Sequence, residues 1–178
     1  MSTTFTAAPA GTWNADPVHS HLQFEIDYAG TNVFRGGFND YTATVEDGVL
    51  EGVAKVASVD VKDEQLNGHL QSPDFFDAAR FPEITFRATE LVKESDGSVR
   101  ASGELTLKGV TKPVELTGRI GSPQTDPFGR EKLGLTLQTT VDRNDYGISW
   151  NMPNQAGGGN YLGDDVTLVA NLVFAKQA

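Results

Sequence analysis

The chain has 178 residues, no cysteine, and 24 Asp and Glu against 14 Lys and Arg, for a formal net charge of −10. That length can bury a substantial core in one domain without covalent staples. The missing cysteines exclude disulfides, thiol nucleophiles and thiolate metal sites, and the negative field opposes nucleic acid as a partner.

The opening MSTTFTAAPAGTW lacks the basic residue and apolar run of a secretory signal. It reads as a disordered lead-in, residues 1–11, before a single domain at 12–178, and on this reading the protein is cytoplasmic. No stretch approaches the ~18 consecutive apolar residues that span a bilayer, so stable membrane insertion is not expected. A short strand is expected near Trp13. Leu22, Phe24, Ile26 and Tyr28 then alternate with Gln23, Glu25 and Asp27, the period-two mark of a strand with one buried face. Segments 34–45 and 49–61 alternate less cleanly, and the glycines of "FRGGF" suggest a bulge.

Residues 63–80 break the pattern. Ser72 as N-cap, Pro73 at the first helical position and Asp74 near the positive end of the helix dipole predict one or two short helices there. Alternation resumes at 84–89, 99–108, 114–120, 133–141 and 166–174. Turn chemistry separates several of these runs, as in "EDG" at 46–48, "SDGS" at 95–98 and "DPFG" at 126–129. The Gly- and Asn-rich stretch 151–165, beside Trp150 and containing Tyr161, is too long for a simple turn.

About eight strands joined by short turns describe an all-β protein, an antiparallel up-and-down β-barrel that leaves no open edge. Its inward positions include the small residues Ala88, Ala101, Gly103, Gly118 and Ala170, with Gly52 and Ala54 if the even face of their strand is the inner one. Small residues among Phe and Leu leave a space lined by apolar carbon, although the same alternation also fits a solid tapering core. Such a space suits a hydrocarbon chain, because each methylene withdrawn from water contributes about 0.8 kcal/mol. A helix over one barrel mouth would turn Phe75 or Phe76 inward. Neighbours on a helix diverge by about 100°, so only one of the two is expected to reach the ligand.

Several ordered motifs carry a family resemblance. "WNADPVHSHLQF" at 13–24, "HLQSPDFFD" at 69–77 with "FPEITF" at 81–86, "GELTLKGVTKPV" at 103–114, "DPFG" and "RNDYG" at 143–147 together resemble the YceI-like family, over about residues 12–175. The resemblance implies an extended lipocalin-like barrel with a helical insertion and a hydrophobic tunnel. The tunnel would hold a polyisoprenoid, isoprenoid quinone or similar long-chain lipid, for carriage or storage, with no cofactor. The expected lining is Phe24, Phe38, Phe76, Phe86, Leu105, Leu135, Trp150 and Met152. The best-known relatives are periplasmic, which the absence of a signal here does not match.

Rival readings attach to other residues. His19, His21 and His69 offer three imidazoles for zinc or heme, an enzyme alternative, though a histidine bonded to a neighbouring turn is the commoner arrangement. No G-x-S-x-G elbow exists for a serine hydrolase. Asp126, Asp142, Asp145, Asp164 and Asp165 sit where turns use Asp for local hydrogen bonds, and "GGG" at 157–159 lacks the Lys-Ser/Thr of a phosphate loop. Arg143 and Asp145 are expected to pair, and Asp77 and Arg80 to form a solvated helix face. The same pattern also fits a filled barrel acting through its surface, and a homodimer.

Overall fold

The computed structural model describes residues 5–6, 10–153 and 159–177. Its elements in chain order are β1 (Phe5–Thr6), β2 (Thr12–Ala15), β3 (His21–Tyr28), β4 (Asn32–Phe38), β5 (Tyr41–Glu46), β6 (Val49–Lys55), β7 (Val59–Asp60) and α1 (Glu64–Leu70), followed by β8 (Glu83–Lys93), β9 (Ser98–Leu107), β10 (Val110–Ile120), β11 (Gln124–Thr125), β12 (Glu131–Asp142) and β13 (Leu162–Lys176). Every pairing is antiparallel. The order β12-β10-β9-β8-β6-β5-β2-β13 closes on itself through β12 and β13, giving an eight-stranded barrel. β1 pairs with Val92 and Lys93 of β8; the rest of the expected lead-in before Ala10 lies outside the described residues.

One feature departs from a simple meander. β13 changes partner along its length, pairing with β2 at residues 174–176 and with β3 at 162–171. The β3–β4 hairpin therefore joins the sheet along one part of β13 and β2 along the other. Opposite charges face each other across the outer surface, as in Arg35–Glu25 and Arg87–Glu51, both 2.9 Å and both directly opposed in register. The apolar set points inward.

The "FRGGF" glycines do not form the expected bulge, because the β3–β4 register is unbroken from Gln23–Gly37 to Tyr28–Asn32. Gly36 is required for another reason: a Cβ there would collide with the Phe24 ring opposite. The register shifts lie between Ala88 and Glu90 and between Leu162 and Val166. At the tight end Gly103 and Gly118 admit the backbone of the neighbouring strand, where a Cβ would meet the carbonyls of Arg87 and Thr136. These glycines close the barrel rather than open it. Ala88, Ala101, Trp13 and Phe174, all at most 2 % exposed, belong to one packed apolar cluster beside them.

The helical insertion is shorter than expected. α1 is capped by Asp63, whose Oδ1 accepts from the Leu66 amide, and it ends before Ser72. Ser72 does not start a second helix. Its hydroxyl donates to the His69 carbonyl at 2.6 Å, and its own carbonyl accepts from the Phe75 and Asp77 amides, which folds 71–80 into consecutive turns. Asp77 is not solvated as expected; it is 3 % exposed, at φ 53°, with Arg80 Nη1 3.6 Å from its carboxylate.

The β2–β3 connection is tied down by Asp16. Its carboxylate meets the His19 ring at 2.8 Å, accepts from the Val18 amide at 3.0 Å and from Lys132 Nζ at 3.1 Å. The His19 hydrogen bond first, then those from Val18 and Lys132, hold its pKa well below the usual carboxylate range against the opposing effect of burial. A depressed folded-state pKa contributes stability above the unfolded value near 3.8, and that contribution is lost as pH falls through the folded value. Asp16→Ala is expected to cost about 2 kcal/mol at pH 7, with the gap to the parent narrowing only below about pH 4. Urea unfolding at pH 7, 4 and 2.5 checks this; a gap that widens on acidification contradicts it.

Candidate functional site

The barrel holds two neighbouring chambers. On β13 the inward residues run from Leu162 and Val166 in the upper chamber, through Leu168, to Ala170 and Leu172 in the lower one. The upper chamber is about 470 Å³ and the lower about 130 Å³. Phe38, Ile84, Leu105 and Leu168 border both and form the partition. From Leu162 to Leu172 the strand advances roughly 25 Å along the barrel axis, allowing ~3.3 Å per residue and a tilt of ~40°. The filled-core alternative holds only below this depth.

The cover of the upper chamber comes from the segment that broke the alternation. Leu66 and Leu70 of α1 and both Phe75 and Phe76 line it. The helix argument that only one phenylalanine reaches the chamber is corrected by the turns: each ring joins a different aromatic cluster on the same wall. Phe76 packs edge-on against Phe38 at 5.7 Å and Phe24 at 6.2 Å, with Phe24 and Phe38 5.8 Å apart. Phe75 sits 4.9 Å from His69 and 5.3 Å from Trp150, and His69 is 4.7 Å from Trp150. Lys108 stitches the cover to the opposite rim by donating to the carbonyls of Pro73, at 2.6 Å, and Gly147, at 3.3 Å. Phe81 lies outside the chambers, beneath Arg80 and against Gly109, where a Cβ would meet its ring.

Among the residues expected on the lining, Phe24, Phe76, Trp150 and Met152 border the upper chamber, Phe38 and Leu105 the partition, and Phe86 the lower chamber. Leu135 borders neither. It is 2 % exposed in the packed end, one inward step below Leu137, which does reach the lower chamber. Sequence reasoning passed over Ile84, Val141 and Leu168, although their alternation already turned them inward. It singled out Arg143 only as a partner for Asp145, since Arg143 follows the end of β12 where strand periodicity stops.

Among the described residues, Arg143 is the one Arg or Lys bordering the chambers. It is 3 % exposed and does not pair with Asp145 as expected. Its Nε donates to the Gly163 carbonyl at 2.8 Å, and its Nη1 to those of Ile148 at 2.9 Å and Trp150 at 2.8 Å. Burial lowers its pKa, and the nearby Asp164 and Asp142 carboxylates oppose that shift. Arg143 thus joins the segment after β12 to the start of β13. Asn151 repeats the device, with its side chain bonded to both the amide and the carbonyl of Leu162. The "GGG" stretch lies mostly outside the described residues.

The histidines do not converge. His19 is bonded to Asp16 beside the packed end, His21 is exposed at the start of β3, and His69 borders the upper chamber with Nε2 3.0 Å from Asp74 Oδ2. Among the described residues no three His, Asp or Glu side chains gather as a metal site. Asp126 and Asp142 serve their turns, accepting from the amides of Phe128 and Arg130 and of Asn144 respectively.

The closed antiparallel barrel is matched by known proteins over most of the chain. The profile of the YceI-like domain matches residues 13–174. The chain belongs to the YceI-like family. A UPF0312 protein of Pseudomonas fluorescens is 33 % identical over 138 residues, covering 73 % of this chain and 71 % of its own. The YceI protein of Campylobacter jejuni superposes with a TM-score of 0.68 at 26 % identity, over 80 % of this chain and 85 % of that one. A polyisoprenoid-binding domain from Saccharophagus degradans, implicated in plant cell wall breakdown, shares the fold at a TM-score of 0.68 and 15 % identity, over 95 % of this chain and all of the other. The lipocalin-like YceI barrel is therefore the fold, with α1 as the single short α-helix among the described residues.

Proposed function

We propose that this YceI-like chain binds a single polyisoprenoid or comparably long apolar lipid along the two chambers and acts as a carrier or store rather than as an enzyme. The observation that carries the reading is the neighbouring pair of apolar chambers, about 470 and 130 Å³, covered at one end and sealed by packed side chains at the other. A chain threaded past Phe38, Ile84, Leu105 and Leu168 exchanges water for hydrocarbon along its length. At about 0.8 kcal/mol per methylene, affinity needs little polar contact. Thioether and aromatic side chains at the upper rim, Met152 and Trp150, suit adaptable apolar binding. The polyisoprenoid-binding domain of Saccharophagus degradans, which shares the fold, lends support.

Denaturing the purified protein, extracting it into organic solvent and identifying the apolar molecules by mass spectrometry tests the proposal. The expected result is one long-chain lipid per barrel, either carried from the cell or loaded by incubating delipidated protein with isoprenoids. Failure to load any isoprenoid at stoichiometry would sink the reading.

A further inference from the structure

We infer that the lipid passes in and out of the barrel sideways, through the seam between β10 and β12, with Tyr146 as its shutter. The inference rests on the lipid-binding reading above and adds the route, which the chambers alone leave undefined.

The seam is joined at one level only. β10 pairs with β9 over residues 110–119 and β12 pairs with β13 over 132–142, so each strand has a long ladder on its far side. Toward each other they pair only through residues 117–120 against 135–138. Beyond Thr117 and Gln138, residues 110–116 of β10 and 139–142 of β12 share no ladder. At ~3.3 Å per residue, that free stretch of β10 spans about 23 Å.

The sequence keeps this edge apart. Pro113 has no N–H to offer a neighbouring strand, and Lys112 beside it carries the kind of charge that blunts a free edge. The edge is therefore a poor template for a partner strand. No backbone ladder has to break for the seam to part along it.

The free stretch runs beside both chambers. Val114 and Leu116 on one side and Leu137 and Thr139 on the other border the lower chamber, while Val141 borders the upper. Side-chain packing fills the interval. Tyr146, in the 3₁₀ turn Arg143–Tyr146 that continues β12, is 2 % exposed and shares an apolar cluster with Leu107, against which Val110, Val114 and Val141 pack. At the far end Lys108, in the β9–β10 turn, donates to the Gly147 carbonyl at 3.3 Å. The interval is thus closed by a ladder at one end and by a long, exposed hydrogen bond at the other.

The covered mouth is the harder path. A methyl-branched chain entering there would pass end-on beneath Phe75 and Phe76 and then thread the partition of Phe38, Ile84, Leu105 and Leu168. Turning out one tyrosine and giving one surface hydrogen bond to water opens the side of both chambers together.

The chain has no cysteine, so a pair introduced at Glu115 and Thr140 is unique. Both residues are exposed, and they would face each other if the β10–β12 register ran on. Full-length Glu115→Cys/Thr140→Cys protein is delipidated, bridged with a short bismaleimide that contains a reducible disulfide, and mixed with a forty-carbon isoprenoid alcohol. Loading and release are followed by native mass spectrometry. Bridging is expected to slow both by about tenfold or more, reduction of the bridge to restore them, and capping the same cysteines with N-ethylmaleimide to leave them unchanged. Tyr146→Leu, with a smaller shutter, should load and release several-fold faster. Parent rates in the bridged protein, or in Tyr146→Leu, overturn the inference and leave lipid binding standing. If the unbridged protein loads no isoprenoid, lipid binding itself fails and the route falls with it.

Discussion

Replacing Arg143 with Met is expected to destabilise the protein by about 3–5 kcal/mol. The Met side chain fills part of the same volume, but the carbonyls of Gly163, Ile148 and Trp150 lose their donor together, and each orphaned buried acceptor costs about 1–3 kcal/mol. Arg143→Lys should recover only part of the loss, because a single ammonium on a flexible stem cannot reproduce donors from both Nε and Nη1 of a rigid fork. In a chain of this size the change corresponds to a fall in Tm of roughly 6–20 °C. Urea and thermal unfolding of both variants measure it. A loss below 1 kcal/mol for Arg143→Met would mean that water replaces the guanidinium at no cost and that the rim does not depend on it.

Ala170→Phe is expected to shorten the lipid the barrel accepts while leaving the fold intact. Ala170 borders only the lower chamber, and a phenyl ring there occupies space that a long tail would otherwise enter. Excluding three methylenes costs about 2.4 kcal/mol of burial, close to a sixtyfold weakening for a chain that reaches past the partition. A chain ending above Phe38, Ile84, Leu105 and Leu168 should bind as before. Stability should change by about 1 kcal/mol or less, since the added ring fills an existing chamber rather than displacing packed atoms. Affinities for a ten-carbon and a forty-carbon isoprenoid alcohol, measured on parent and variant, separate the two effects. Equal weakening of both lengths would show that the lower chamber does not receive the tail.

Much of this was legible in the chain itself. Strict alternation in 133–141 and 166–174 identified β12 and β13 and their inward faces, because a strand buried on one side must repeat its apolar residues every second position. The short turns implied antiparallel neighbours, and the quoted motifs carried the family. Leu22, Phe24 and Ile26 likewise named their face correctly. Local chemistry misled where two local solutions competed. Ser72-Pro73-Asp74 is a sound helix start, yet its backbone groups were already taken by the turn that follows α1. The small residues 88, 101, 103 and 118 and the small residues 52, 54 and 170 look alike in sequence, but Ala88 and Ala101 are packed solid, Gly103 and Gly118 admit a neighbouring backbone, and the second set borders a chamber.

By itself, then, the sequence determined the strand set, the inward faces and an apolar interior, since each follows from side-chain period and turn chemistry within a few residues. Only the tertiary structure decided where along the barrel axis that interior is packed and where it is open. That depends on how closely non-adjacent strands approach, as Gly103 does against Arg87 and Gly118 against Thr136, and on β13 exchanging β3 for β2 partway along. It likewise brought Arg143, His69 and Trp150 together from the end of β12, from α1 and from the segment before β13. No periodicity records such a meeting, because it is fixed by closure of the whole sheet.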